Sequence, residues 1–139
     1  MRLDDVPAQA LAHVGDAVHA LCVRSRLLAL GPLSRKELHV RSAAAVCAAA
    51  QAQALQALEP LLSPEERDVV RRARNTKLGK GGGGTPADRH HATAFEALLG
   101  YLYLSGRADR LQELLASVTE ATRPDGGGRD AGCAVETHS

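Results

Sequence analysis

Two acidic residues, Asp16 and Glu96, have surroundings that ask for a chemical explanation. One helical turn to either side of Asp16 stand Ala12 and Ala20, with Gly15 and Ala17 adjacent; Glu96 is flanked at the same spacing by Ala92 and Gly100. A helix surface built from Ala and Gly lets a second helix approach closely, and a carboxylate on that surface is carried into the contact. Burying it unpaired is costly, so it needs a partner or a solvated stripe. If the two small-residue stripes face each other, the carboxylates converge. Paired carboxylates suit a hard divalent cation such as Mg²⁺, which takes oxygen ligands, keeps several waters and is completed by substrate phosphates. Such an ion activates water and stabilises the leaving oxygen in phosphodiester hydrolysis.

A second group of residues points to a polyanion. Arg67, Arg71, Arg72 and Arg74 cluster within eight residues, followed by Asn75, Lys77, Lys80 and the tract Gly81–Gly84, with Asp68 as the main opposing charge. The plain reading is a solvated face. The functional reading is a phosphate-contacting edge, since guanidinium forks and Lys heads both bind phosphate. The glycine tract has no GKS/T ending and follows no predicted strand, which argues against a nucleotide-binding loop.

Other chemistries fare worse. His13, Asp16 and His19 stand three residues apart, and His90 and His91 precede Glu96; imidazoles with a carboxylate suit Zn²⁺ or a redox metal. The first three spread over more than one helical face, so at most two converge. No G-x-S-x-G is present, and the cysteines have no obvious partner His, which leaves nucleophilic catalysis without a carrier.

The elements that must position these residues read as helices. With 45% apolar but only 2% aromatic residues, the core must be Leu, Val and Ala, which favours packed helices in a single domain. A first helix is expected from an Asp5 N-cap to about Leu30, with Leu11, Val14, Val18, Leu21 and Leu28 as its apolar stripe and Gly31-Pro32 as its stop. Ser34-Arg35-Lys36-Glu37 is a capping box, opening a helix that bends or restarts near Ser42 and runs through an Ala-rich stretch to Leu58. Ser63-Pro64-Glu65-Glu66 opens the basic helix. Thr85 starts the helix carrying Glu96, whose face Phe95, Leu98, Leu99, Leu102 and Tyr103 is core. A last helix spans about Arg107–Thr122, with Leu111, Leu114, Leu115 and Val118 inward. The chain thus divides into a helical domain over 1–122 and a disordered tail over 123–139. Asp4 and Asp5 stand where a secretory signal would be apolar, no stretch is long and apolar enough to span a membrane, and three cysteines without CxxC spacing read as reduced thiols; the expected location is cytoplasmic.

Taken in order, LAHVGDAVHALCVR, RRARNTK and RHHATAFEALLGYLYLSGR resemble the Mini-ribonuclease III family, bacterial enzymes made of a ribonuclease III catalytic domain without a separate double-stranded-RNA-binding domain. The resemblance covers about residues 5–120. It implies an all-α fold, a two-fold homodimer, and Mg²⁺-dependent endonucleolytic cleavage (Mn²⁺ being an alternative) of double-stranded RNA, typically precursor 23S ribosomal RNA, leaving 5′ phosphates. Carried over by position, Asp16 of the GDAV motif and Glu96 of the FEAL motif are the catalytic metal ligands. Arg72, Arg74, Asn75 and Lys77 fall where the family contacts RNA, and Lys80 extends that basic edge. Full-length ribonuclease III enzymes carry further acids where this chain has Gln9, Ala12 and Thr93, reductions that Mini-ribonucleases share. The position after GDAV, commonly Tyr, is His19 here. An accessory ribosomal protein is a further partner the resemblance leaves room for. The alternative from another class is a non-catalytic, ribosome-associated RNA-binding module, which would keep the basic edge but have no need of Asp16 and Glu96.

Overall fold

Proline and serine set where the helices begin. The computed structural model describes residues 1–76 and 84–121. A 3₁₀ turn at Leu3–Asp5 precedes α1 (Ala8–Ala29), so the helix starts later than an Asp5 cap predicts. Pro7 is the reason: it disfavours the helical region for the residue before it, and Val6 is extended (φ −85°, ψ 126°). At the other end Gly31 turns the chain with φ +137°.

Ser34 caps α2 (Arg35–Ala45) through the full capping box, its hydroxyl accepting from the Glu37 N–H. The break that follows lies at Val46–Cys47 rather than at Ser42, which is buried inside α2. Cys47 is extended and opens α3 (Ala48–Leu58). A 3₁₀ turn at Glu59–Leu61, containing Pro60, leads to Ser63, the cap of α4 (Pro64–Arg74). Thr85 caps α5 (Pro86–Leu104) by accepting from the Asp88 N–H. Gly106 (φ +75°) separates it from α6 (Ala108–Ala121). All described regular elements are helical, as expected.

Helix α5 is the axis of the domain. It packs against α1 most extensively, then α3 and α4. Ala92, Ala94, Phe95, Ala97, Leu98, Leu99, Gly100, Tyr101 and Leu102 are buried, covering most of its circumference, as befits a helix surrounded by others. Leu11 of α1, Leu55 and Leu58 of α3 and Leu114 of α6 are fully buried around it. Each such side chain contributes about 1.5–3 kcal/mol by leaving water. The inward residues predicted for α6 are also found in or against the core.

Three side chains expected inside are outside. Leu21 is 64% exposed, Leu28 62% and Tyr103 58%. Their spacing is helical, but on α5 it is Tyr101, not Tyr103, that is buried. Of the cysteines expected to be reduced, Cys22 is free, and Cys133 lies outside the described residues. Among the described residues no helix is long and apolar enough to cross a membrane.

Candidate functional site

The two acids meet because two glycines let α1 and α5 touch backbone to backbone. A Cβ on Gly15 would stand 1.6 Å from the carbonyl oxygen of Glu96, and one on Gly100 would stand 2.0 Å from that of Leu11. Neither position has room for any side chain. Asp16, next to Gly15, is therefore held beside Glu96, and the small-residue stripes do face each other.

Electrostatically the pair is relieved only in part. Burial, followed by the repulsion of Asp16, raises the Glu96 pKa to about 7, while a hydrogen bond from Gln51 works in the opposite direction. Among the described residues no ion pair engages either acid. Asp16 is exposed at the mouth and Glu96 is half-buried behind it.

Two further residues complete the site, and sequence reasoning did not identify either role. Gln51 of α3 is 1% exposed, and its Nε2 lies 3.0 Å from His19 Nδ1. With the amide donating, that ring nitrogen is the acceptor and the imidazole proton sits on Nε2. His19 is buried, stands edge-on to Phe95 at 4.9 Å, and has its pKa lowered to about 4, chiefly by burial, with Asp16 pulling the other way. The same amide thus serves a neutral imidazole and the Glu96 carboxylate. A signal for Gln51 was present: it interrupts a stripe otherwise made of Ala48, Ala54 and Leu55.

The donor set fits a hard cation better than zinc. His19 is turned inward and held by Gln51, and His13 is exposed. Among the described residues no group of three or more His, Cys, Asp and Glu gathers. Two carboxylates with open coordination positions match a Mg²⁺ ion that keeps its waters.

The basic edge is partly committed to the protein itself. Arg74 is paired with Glu59; Arg71 bonds Asp68 at 2.6 Å, and Arg72 approaches the same carboxylate at 3.6 Å. Asn75 caps the C-terminus of α4 and is exposed. Lys77 and Lys80, like the tail 123–139, lie outside the described residues.

An all-α domain with one acid on each of two abutting helices corresponds to a known class. The family model for the ribonuclease III domain matches residues 9–107. A crystal structure of a Fusobacterium nucleatum protein superposes with a TM-score of 0.78 at 26% identity, covering 87% of this chain and 98% of that one. Among relatives, the Mini-ribonuclease 3 of Symbiobacterium thermophilum is 44% identical over 83% of this chain and 89% of its own length. That of Brevibacillus brevis is 46% identical over 76% and 79%. The chain belongs to the Mini-ribonuclease III family.

Proposed function

We propose that this protein is a Mg²⁺-dependent endoribonuclease that hydrolyses phosphodiester bonds in double-stranded RNA, leaves 5′ phosphates, and matures 23S ribosomal RNA in the cytoplasm. The observation that carries the reading is the half-buried Glu96 beside Asp16, two acids with no ion-pair partner among the described residues. A resident structural pair would be neutralised by a neighbouring Arg or Lys. A metal site keeps its charge for the ion.

Asp16 and Glu96 would hold the cation, with Mn²⁺ able to substitute. When bound, the ion supplies a nucleophilic water and charge stabilisation at the leaving oxygen. Gln51 orients the Glu96 carboxylate, and the neutral His19 packs behind it without competing as a base. Arg72, Arg74, Asn75, Lys77 and Lys80 would grip the phosphates, which suits an A-form duplex read by shape and backbone rather than by sequence. For Arg72 and Arg74 this requires exchanging Asp68 and Glu59 for RNA.

Cutting both strands needs paired sites, and a two-fold homodimer supplies them. Its support is an apolar hollow lined by His13, Val14, Ala17, Val18, Leu21 and Tyr103 of α1 and α5, with Leu21 and Tyr103 exposed. The test of the activity is cleavage of a labelled RNA duplex with Mg²⁺ and with chelator, beside single-stranded RNA and a DNA duplex. Metal-dependent cutting of the RNA duplex that Asp16→Asn and Glu96→Gln each abolish is the expected result. Binding without cutting in any metal would make the chain an RNA-binding module and reduce the two acids to structural groups.

A further inference from the structure

A second hollow, of about 190 Å³, lies between α1 and α2 and is lined by Ala20, Arg24, His39, Ser42, Ala43 and Val46. Its polar lining consists of a guanidinium, an imidazole and a hydroxyl; no carboxylate is present. Ser42 is only 9% exposed, yet its Oγ has no hydrogen-bond partner. A buried hydroxyl in a native fold is normally satisfied, so an unpartnered one facing a hollow marks a place for a ligand atom. Arg24 is exposed and takes part in no ion pair among the described residues, in contrast with Arg71, Arg72 and Arg74 on the other basic edge. Arg35, Lys36 and Arg41 of α2 add positive charge that is likewise not engaged in a described ion pair.

The position of this hollow identifies what it faces. Asp16, Ala20 and Arg24 recur every fourth residue and share one stripe of α1. Eight residues of helix separate Arg24 from Asp16 by about 12 Å. The hollow therefore opens along the stripe that carries one of the two acids, and a nucleic-acid strand threaded past Asp16 continues towards it. We infer that Arg24, His39 and Ser42 form a subsite for a backbone phosphate of the RNA strand, a few nucleotides from the bond that is cut. Arg24 forks onto the phosphate oxygens, the His39 ring donates an N–H, and the Ser42 hydroxyl donates from below. This deepens the nuclease reading and rests on it for the identity of the polyanion. The subsite adds RNA grip to a chain in which Arg71, Arg72 and Arg74 of the other basic edge are paired with Asp68 and Glu59.

The test is anisotropy of a labelled RNA duplex on the full chain, in chelator so that no metal-dependent cutting occurs, across about 50 to 200 mM salt. Arg24→Ala is expected to weaken binding roughly tenfold and to reduce the slope of log affinity against log salt by about 1, the signature of one lost phosphate contact. Ser42→Ala should weaken binding by a smaller factor without changing the slope, because the group it removes is uncharged. Arg24→Lys should restore the slope but not the full affinity, since an ammonium lacks the fork. Arg24 is exposed, so its variants fold, and a thermal melt verifies this. Wild-type affinity and slope in Arg24→Ala would overturn the subsite. Cleavage of the same duplex by the wild type with Mg²⁺ is scored separately. If the wild type neither binds nor cuts, the nuclease reading falls; if it does both and Arg24→Ala is indistinguishable from it, only the subsite falls.

Discussion

Glu96 does two opposed things, and pH separates them. Its folded-state pKa of about 7 lies above the ordinary carboxylate value of 4.5, so ionising it costs the metal-free fold stability. That stability is complete below about pH 4.5 and is lost as pH rises through about 7. His19 runs the other way: with a folded pKa of about 4 against 6.5, its stabilisation is present above pH 6.5 and lost as pH falls through 4. The two partly cancel in the wild type, so the informative quantity is a difference. In chelator, Glu96→Gln should melt at the wild-type temperature near pH 4.5 and progressively above it as pH approaches 8. Equal melting temperatures across that range would mean the carboxylate is not in the environment described. Gln51→Leu removes the amide that donates to the Glu96 carboxylate. Metal ligands that lose such support typically weaken binding by about 10–100-fold, and Mn²⁺ titration followed by electron paramagnetic resonance would measure it. The His19 ring nitrogens should also lose their fixed tautomer in nitrogen-15 spectra, a change that a destabilising substitution distant from the ring would not produce.

At the scale of elements, the contact between α1 and α5 sets the distance between the acids. Gly15→Ala places a methyl group inside the Glu96 carbonyl, and the only relief is to move the helices apart. Overpacking of this kind costs about 1–3 kcal/mol, and here it should also separate Asp16 from Glu96; denaturant melts and metal titration together would register both. Helix α4 is held by a different device. Glu66 is 2% exposed, completes the capping box with the Ser63 N–H and receives two bonds from Arg110 of α6, at 2.8 and 2.9 Å. The Arg110 bonds are the main reason the Glu66 pKa is lowered. Arg110→Met should therefore cost up to roughly 3–5 kcal/mol by stranding that carboxylate, most of it recovered in the double variant with Glu66→Met. A double-mutant cycle that closes additively would show the pair to be decorative.

For the whole molecule, the exposed apolar side is the feature least expected of an isolated chain. Leu21 and Tyr103 flank a hollow on α1 and α5 while Leu28 and Leu30 lie open further along. Isolated exposed leucines are ordinary, but Leu21 and Tyr103 line one hollow together, and it is there that the proposed homodimer would close. Leu21→Glu should shift sedimentation from dimer to monomer at micromolar concentration and leave the far-ultraviolet spectrum unchanged. A monomeric wild type would remove the basis for paired cuts.

Local signals in the sequence are enough for the helices and for the small-residue stripes that bring the two acids side by side. Capping boxes at Ser34 and Ser63, the Thr85 cap and the glycine stops are decided by neighbours a few residues away, so they are legible without a fold. The small-residue stripes around Asp16 and Glu96 were legible for the same reason, since a missing side chain is a property of the sequence itself. Where structure and sequence differ, one cause is local and the others are partners at long range. Pro7 delayed α1 through its effect on Val6, a local effect outweighed in the reading by the attraction of an Asp5 cap. Leu21, Leu28 and Tyr103 have core-like spacing, but whether a stripe is covered depends on which helices pass over it. Gln51 and His19 lie 32 residues apart, and no periodicity joins them. Residue spacing places side chains on faces. Only the packing of those faces decides which polar groups share a buried site, how far their pKa values move, and which surface is left for RNA or a second copy.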